Sequence, residues 1–362
     1  MKYSLLLSLI LFISCNQQKN GNAFETIEID LDDKELIYSD SAAFDSCSIV
    51  QLEVTENSLL GDIAKVVCNK GRIYILSMMD PTLFIFDKSG NFISKLNKGQ
   101  GPGEIIFVSD IVVHNDTLLV LDNYRAIKSY DLDGNYLEEK MKLDSPYFSM
   151  YFTDNGTYLM DPNINSQSEY NLHVIKDNCK NFYLPKNKWL KNISLTTYSS
   201  MRDAYVVWPL SDKIYRIDEI NDTVECVYWI DFKGKWISEQ DFNESVNTSS
   251  MCDGDLNKYA RWLKDVSLLS NQGLFFAFKY DKDYFVKYRN GEVKLYSHLL
   301  SDFPEMTSSS VGSYNNNLIY VYSPEKLKEY RDKHPQSKLN QLKFLNKESE
   351  DLNPVLCFIP IN

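Results

Sequence analysis

The sequence predicts an all-β fold, a six-bladed β-propeller of four-stranded antiparallel blades. It also predicts a partly helical insertion and a C-terminal helical pair. Three observations carry this. The segments RIYILSMMDPTLFIFDKSGNFISKL (Arg72 to Leu96) and TLLVLDNYRAIKSYDLDGNYLEEKM (Thr117 to Met141) share one pattern: apolar strand, short loop, alternating strand ending in aromatic-Asp, then a turn with Gly-Asn. Asp87 and Asp131 stand 44 residues apart, as do Gly90 and Gly134, and a period of 40 to 50 residues made of short strands marks propeller blades. The 24 tyrosines and 19 phenylalanines suit pleated, half-buried strands.

Taken in order, residues 1–14 come first. Lys2 precedes an apolar run, YSLLLSLILFI, that is too short for a membrane-spanning helix, which needs about 20 residues. A positive start, a short apolar core and a small residue describe a secretory signal. Cys15 follows Ser14 directly, so cleavage before Cys15 and lipidation of its thiol are expected, although Phe12 stands where Leu is usual. Residues 15–22 form a polar tether whose eight residues reach at most about 28 Å. Residues 23–362 form the propeller. FETIEIDL (Phe24 to Leu31) has no nearby hairpin partner and is expected to complete the last blade, which leaves no long unpaired edge.

After the two clear repeats come fainter ones. Tyr170 to Leu184 ends a strand at Asp177, and Lys213 to Phe232 ends one at Asp218. Tyr284 to Tyr296 turns through Arg-Asn-Gly. Asn316 to Tyr322 reads as the inner half of a sixth blade, with Pro354 to Ile361 beside it. Residues 233–265 break the period as a partly helical insertion. Within 324–350, EKLKEYRDKH and KLNQLKFLNK show apolar residues at three- and four-residue spacing and predict two short helices.

Several chemistries are disfavoured. A net charge of −12 and the lack of any basic cluster speak against nucleic acid. Removing Lys2 leaves 37 basic against 50 acidic residues, or −13, which also disfavours adhesion to anionic lipid through the protein surface. The cysteines beyond Cys15 form no CxxC pair, and none lies within five positions of His114, His173, His298 or His334, which makes a zinc site improbable. One or two disulfides and simple buried thiols are equally compatible with them. In Asp131-x-Asp133-Gly-Asn the glycine falls at position 4, where a calcium loop has it at 6, so these turns read as hairpin chemistry. KGQGPGE (Lys98 to Glu104) has Glu104 where a dinucleotide fingerprint needs a third glycine, and strand-like IIFVSDIVVH follows it. It reads as a blade-to-blade corner, with Pro102 fixing φ and the glycines permitting the bend. No GxSxG elbow and no sialidase box is present. Cofactor and metal content are not legible in the sequence.

The lipobox-like Cys15, KGQGPGE, the FDKSGN and YDLDGN turns and the late Asn353-Pro354-Val355-Leu356 strand resemble the six-bladed propeller lipoproteins of Bacteroidetes, similar in shape to NHL and TolB-like propellers. That resemblance implies an exported, lipid-anchored protein of the cell envelope, on the periplasmic or the surface side of the outer membrane. It implies no settled activity. Loops on a rigid scaffold are where function usually sits. In a meander of four strands the blade-to-blade corners and the loops between second and third strands share one face. That face is the expected ligand face, carrying Asp80, Gly101, Glu104, Asn123, Arg125, Asn163, Asp212, Tyr280 and Asp281. The expected role is binding of a glycan, a peptide or a partner protein without catalysis. Two alternatives stay open: a metal-dependent hydrolase or lyase with its site in the central channel, and a structural subunit of an outer-membrane assembly. For the latter, the insertion with Trp236, Tyr259 and Trp262 is the expected contact.

Overall fold

The computed structural model describes residues 24–33, 37–78, 81–161, 166–177, 179–186, 200–202, 204–208, 210–221, 223–247, 256–270, 272–306, 309–347 and 352–361. The signal and tether, with Cys15, lie outside these residues, as do Asp80 and Asn163. Among the described residues the strands form six sheets. The chain opens with β1 (Glu25–Glu28), β2 (Ile37–Phe44) and β3 (Ser48–Gln51). Blade one is then built from β4 (Ile63–Asn69), β5 (Arg72–Ser77), β6 (Leu83–Asp87) and β7 (Phe92–Lys95), in that spatial order. Blade two follows with β8 (Val108–His114), β9 (Thr117–Asp122), β10 (Ala126–Tyr130) and β11 (Tyr136–Lys142). Blade three uses β12 (Ser149–Phe152), β13 (Thr157–Met160), β14 (Tyr170–Lys176) and β15 (Cys179–Pro185). Blade four is β16 (Ser200–Arg202), β17 (Tyr205–Val207), β18 (Lys213–Asp218) and β19 (Thr223–Asp231). Blade five is β20 (Arg261–Leu268), β21 (Leu274–Lys279), β22 (Asp283–Arg289) and β23 (Glu292–Leu300). In blade six, β24 (Gly312–Tyr314), β25 (Asn317–Tyr322) and β26 (Val355–Pro360) are completed by β3 from the other end of the chain.

The expected closing strand is therefore corrected. Ser48–Gln51 closes the ring, and Phe24–Leu31 does not. Instead β1 runs parallel to β19 with Glu25 opposite Tyr228, adding a fifth strand to blade four. In the same way β2 runs parallel to β23 of blade five. The N-terminal segment thus passes along the outer edges of blades four, five and six in turn. Parallel pairing fits because an incoming strand laid on an outer edge has no hairpin to reverse it.

Burial follows the gaps between blades. Along β5, Tyr74 and Leu76 pack toward blade two, while Ile73 and Ile75 pack toward blade six and the rest of blade one. A strand covered on both faces reads as a continuous apolar run, which is why RIYILS shows little alternation. The same holds at each later junction, so the core is a ring of inter-blade layers.

The repeated turns hold themselves. Asp87 accepts from the Ser89 and Asn91 amides and from the Asn91 side chain at 2.8–2.9 Å. Asp131 does the same with Asp133 and Asn135 at 2.8–2.9 Å, and Asp218 repeats it with Ile220 and Asn221 at 2.8–3.1 Å. Gly90 and Gly134 both sit at φ 89°. A Cβ on Gly90 would meet the Gln51 carbonyl at 2.1 Å, so the turn also wedges against the closing strand.

Both helical excursions differ in detail from expectation. The insertion contains α1 (Glu239–Asn247), but from Arg261 onward the chain already forms the inner strand of blade five, so 261–265 belong to β20. In the later excursion, α2 (Pro324–Lys333) is the first expected helix, capped by Ser323, whose side chain accepts from the Lys326 amide, with Pro324 in its first turn. The second is two 3₁₀ turns, Lys338–Gln341 and Lys343–Asn346. The break at Leu342 lets both Leu339 and Leu345 reach the core between blades five and six. No helix among the described residues is long and apolar enough to cross a membrane.

Candidate functional site

Two faces result from this order. The short turns within each blade, such as Asn115-Asp116 and Lys88 to Asn91, lie at one end of the strands. The blade-to-blade corners lie at the other, together with both helical excursions: α1 between blades four and five, and α2 between β25 and β26. This corner face opens into a central channel of about 810 Å³, lined by the innermost strand of every blade.

Inside the channel two buried carboxylates repeat one arrangement three blades apart. Asp110 of β8 binds Lys65 of blade one at 2.7 Å and accepts the Met150 amide of blade three at 2.8 Å. Asp265 of β20 accepts the amide and hydroxyl of Ser310, just before β24, at 2.8 and 2.6 Å. Arg202 of blade four reaches the same Ser310, through its hydroxyl and its carbonyl, and stands 4.0 Å from Asp265. Tyr320 donates to the other Asp265 oxygen at 2.7 Å. Burial and the adjacent carboxylate hold this phenol well above its ordinary pKa, so it stays a donor. Lys264 pairs with Asp283 at 3.0 Å. The Asp110 and Asp265 groups join neighbouring blades, while the Lys264 pair lies within blade five. Met78, Met150, Met201 and Met306 add soft apolar surface to the lining.

On the corner face beside the channel, Phe107, Tyr124 and Phe148 form a continuous step of half-buried rings. Phe107 and Tyr124 lie with centroids 5.1 Å apart, and Tyr124 and Phe148 4.8 Å apart. Phe107 and Phe148 each stand one residue before an inner strand. Tyr124 sits in the loop between β9 and β10, where Asn123 and Tyr124 adopt φ 49° and 60°. A left-handed tyrosine is uncommon and needs outside support. The Asn123 amide donates to the Phe107 carbonyl at 2.7 Å, and the Tyr124 amide to Ser109 Oγ at 2.9 Å. Exposed Met78 and Ile106 extend the patch.

The expected ligand-face residues divide by how far their groups are already used. Asn123 and Arg125 are exposed beside the ring step, with Arg125 reaching the Asp144 carbonyl at 3.3 Å. Glu104 turns its carboxylate into its own corner, accepting the Gly101 amide at 2.8 Å, while Lys128 holds the Glu104 carbonyl at 2.6 Å. KGQGPGE is thus an internally bonded corner, with Gly103 at φ 77° pressed against Tyr136. Asp212 accepts the Trp229 indole at 2.8 Å, and the Tyr280 carbonyl receives Arg261 at 2.7 Å. Asp281 bonds the Lys282 amide at 2.9 Å. Asp212, Tyr280 and Asp281 belong to blades four and five, away from the ring step. Of the insertion aromatics, Trp262 is buried beside Phe242 and Trp236 stacks on Phe232. Tyr259 donates to Asp241. Trp262 and Tyr259 belong to a satellite core with Phe242 of α1, and Trp236 packs on the core between blades four and five.

Sequence reasoning missed Asp110, Asp265 and the ring step. Nothing in one strand marks a carboxylate that bonds three blades, but a tyrosine following Asp-Asn in a turn position was a readable signal. A serine–histidine contact also lies on blade three: Ser168 Oγ is 2.6 Å from His173 Nε2, and the Tyr147 hydroxyl is 2.8 Å from Nδ1. Burial pushes His173 down to about 4 and Tyr147 up, so both are neutral near pH 7. A neutral phenol stands where a nucleophile's base would need a carboxylate, and the group reads as a packing network. Among the described residues no three His, Cys, Asp or Glu side chains are grouped to hold a metal ion.

Among curated proteins none matches this chain. A protein of Bacteroides fragilis described as exported has the same fold, with a TM-score of 0.74 at 18% identity, over 94% of this chain and 100% of that one. A member of the DUF4221 family from Bacteroides vulgatus gives a TM-score of 0.47 at 10% identity, over 89% of this chain and 98% of its own. The extracellular domain of a one-component system of B. thetaiotaomicron gives 0.42 at 12%, over 76% and 32%. The family model described as domain of unknown function, DUF4934, matches residues 24–360, and the chain belongs to that family.

Proposed function

We propose that this protein is a lipid-anchored propeller of the cell envelope, in the outer membrane, that binds a peptide, glycan or partner protein on its corner face without catalysing a reaction. One observation carries the reading. The ring step Phe107–Tyr124–Phe148, with its left-handed tyrosine, flanks the mouth of the channel on the face where a ligand is expected. Rings that are half-exposed and rigidly held supply contact area at little entropic cost. The left-handed turn at Asn123-Tyr124, fixed by its bonds to Phe107 and Ser109, holds the Tyr124 ring in place between the two phenylalanines. Asp110, Asp265, Lys65 and Arg202 in the channel are engaged between blades, which favours the rim as the adaptable surface. The exported Bacteroides fragilis protein of the same fold is compatible with an envelope address. The anchor rests on Cys15 and its preceding apolar run.

The test is a mild-detergent pull-down of the tagged full chain from its native membranes, in parallel with a Tyr124→Ala/Phe148→Ala variant. The reading expects a stoichiometric partner that the variant retains at least ten-fold less. It fails if a variant with an unchanged melting temperature captures the same partner equally well. A Cys15→Ser chain should leave the membrane fraction, and its retention there would sink the anchor alone.

A further inference from the structure

The ring is closed by β26 and β3, drawn from opposite ends of the chain, with Cys357 opposite Ile49 and Phe358 opposite Ser48. Directly opposed residues share a face, and so do residues two apart on one strand. Cys47, two before Ile49, therefore comes to the same side as Cys357, one diagonal step along the seam. That side is the core between blades five and six, where Cys357 is fully buried and Cys47 packs at the edge, half-exposed. The Cys47 side chain packs against the cluster that holds Cys357 and Tyr322, near enough to bear on the Cys357 thiol. Cys68, Cys179 and Cys226 belong to blades one, three and four.

We propose that Cys47 and Cys357 are an oxidisable pair, a modification site at which a disulfide fastens the propeller seam. Diagonal neighbours start roughly 7–8 Å apart at Cα, and a disulfide wants about 4.4–6.8 Å. Cys47 belongs to the irregular link between β2 and β3, so the small approach falls on backbone outside the ladder. The co-reactant is a small-molecule or protein disulfide. The Cys47 thiolate, the accessible one, attacks one of its sulfurs, forms a mixed disulfide and expels one thiolate. The Cys357 thiolate then attacks the Cys47 sulfur and expels the second. The two protein thiols give up two protons and two electrons, and the oxidant leaves as two thiols. Burial raises the Cys357 thiol far above its usual range, so the second step is the slower one. The bond would join residues 47 and 357 and so fix nearly the whole ring in one loop, the case in which a cross-link restricts the unfolded chain most. The inference is independent of the ligand face and of the lipid anchor.

The test uses the purified full chain, reduced and then exposed to oxidised glutathione. Peptide mapping without reductant should find residues 47 and 357 in one linked pair. The oxidised form should melt roughly 5 °C or more above the reduced form. Cys47→Ser, at a half-exposed position, should fold, lack the link and melt alike under both conditions, with Cys47→Ala as its check. Full alkylation of both thiols after oxidation overturns the proposal. So does a link from either residue to a different cysteine, or a correct link with no change in melting.

Discussion

Asp110 and Asp265 sit on opposite arcs of the channel, and each reaches one blade back toward a cation and one blade forward to a backbone amide. Removing the charge strands Lys65 or Arg202 near a low-dielectric wall. Asp110→Asn and Asp265→Asn should therefore each cost about 3 kcal/mol, read as a lower denaturant midpoint at unchanged slope. An unchanged midpoint would show that the clasps are idle. The turn aspartates make a different prediction. Hydrogen bonds from Asn91, Asn135 and Asn221 hold Asp87, Asp131 and Asp218 below the ordinary carboxylate range. A carboxyl more acidic in the folded than in the unfolded chain adds stability that is present above its unfolded pKa and lost as pH falls through the folded one. Melting temperature should thus fall as pH drops below about 4, and less so in an Asn91→Ala/Asn135→Ala chain, whose folded aspartates titrate closer to their unfolded value. Equal acid sensitivity would remove the turns from that account. At Gly90 the left-handed backbone and the Gln51 carbonyl at 2.1 Å act together, so Gly90→Ala should destabilise by at least about 1–3 kcal/mol, measured by the same unfolding curve.

At the scale of elements, strands with a hairpin neighbour were legible and strands without one were not. β5, β6, β9 and β10 repeat within the sequence because each is fixed by contacts with its immediate successor. β1, β2 and β3 have partners some 200 to 300 positions away, so their order on the outer edges depends on geometry that no local pattern encodes. The closing role fell to VQ-containing β3, whose four residues show no alternation worth noticing. Helix α2 was legible through the spacing of its apolar residues Leu327 and Tyr330, whereas Leu342 turned a plausible helix into two 3₁₀ turns. Asn353 shows how far one residue can serve an element. Buried at the end of the helical excursion, it donates to the Glu53 and Ser58 carbonyls and accepts from the Leu60 amide, each at 2.8 Å. Asn353→Ala would orphan those groups and should cost about 2–3 kcal/mol, loosening the 53–60 link first in hydrogen exchange. Uniform protection across that link would argue otherwise.

For the whole molecule, the corner face gathers everything irregular: the channel mouth, the ring step and both helical excursions. The opposite face holds short turns. The gathering of corners on one face was predictable from strand order alone, since alternate connections fall at opposite ends of the strands. Which residues on that face are free was not, because Glu104 and Asp212 look available until their bonds to Gly101 and Trp229 are seen. The N-terminal strand order has one more consequence, and it concerns time. Residues 24–51 leave the ribosome before any blade exists, yet their positions are on blades four, five and six, the last to be made. The early strands must wait as exposed chain, and the seam between β3 and β26 forms only once residues 355–360 are made. Blades one to three can assemble from consecutive strands in the meantime, so the ring is a row of finished blades before it is a circle.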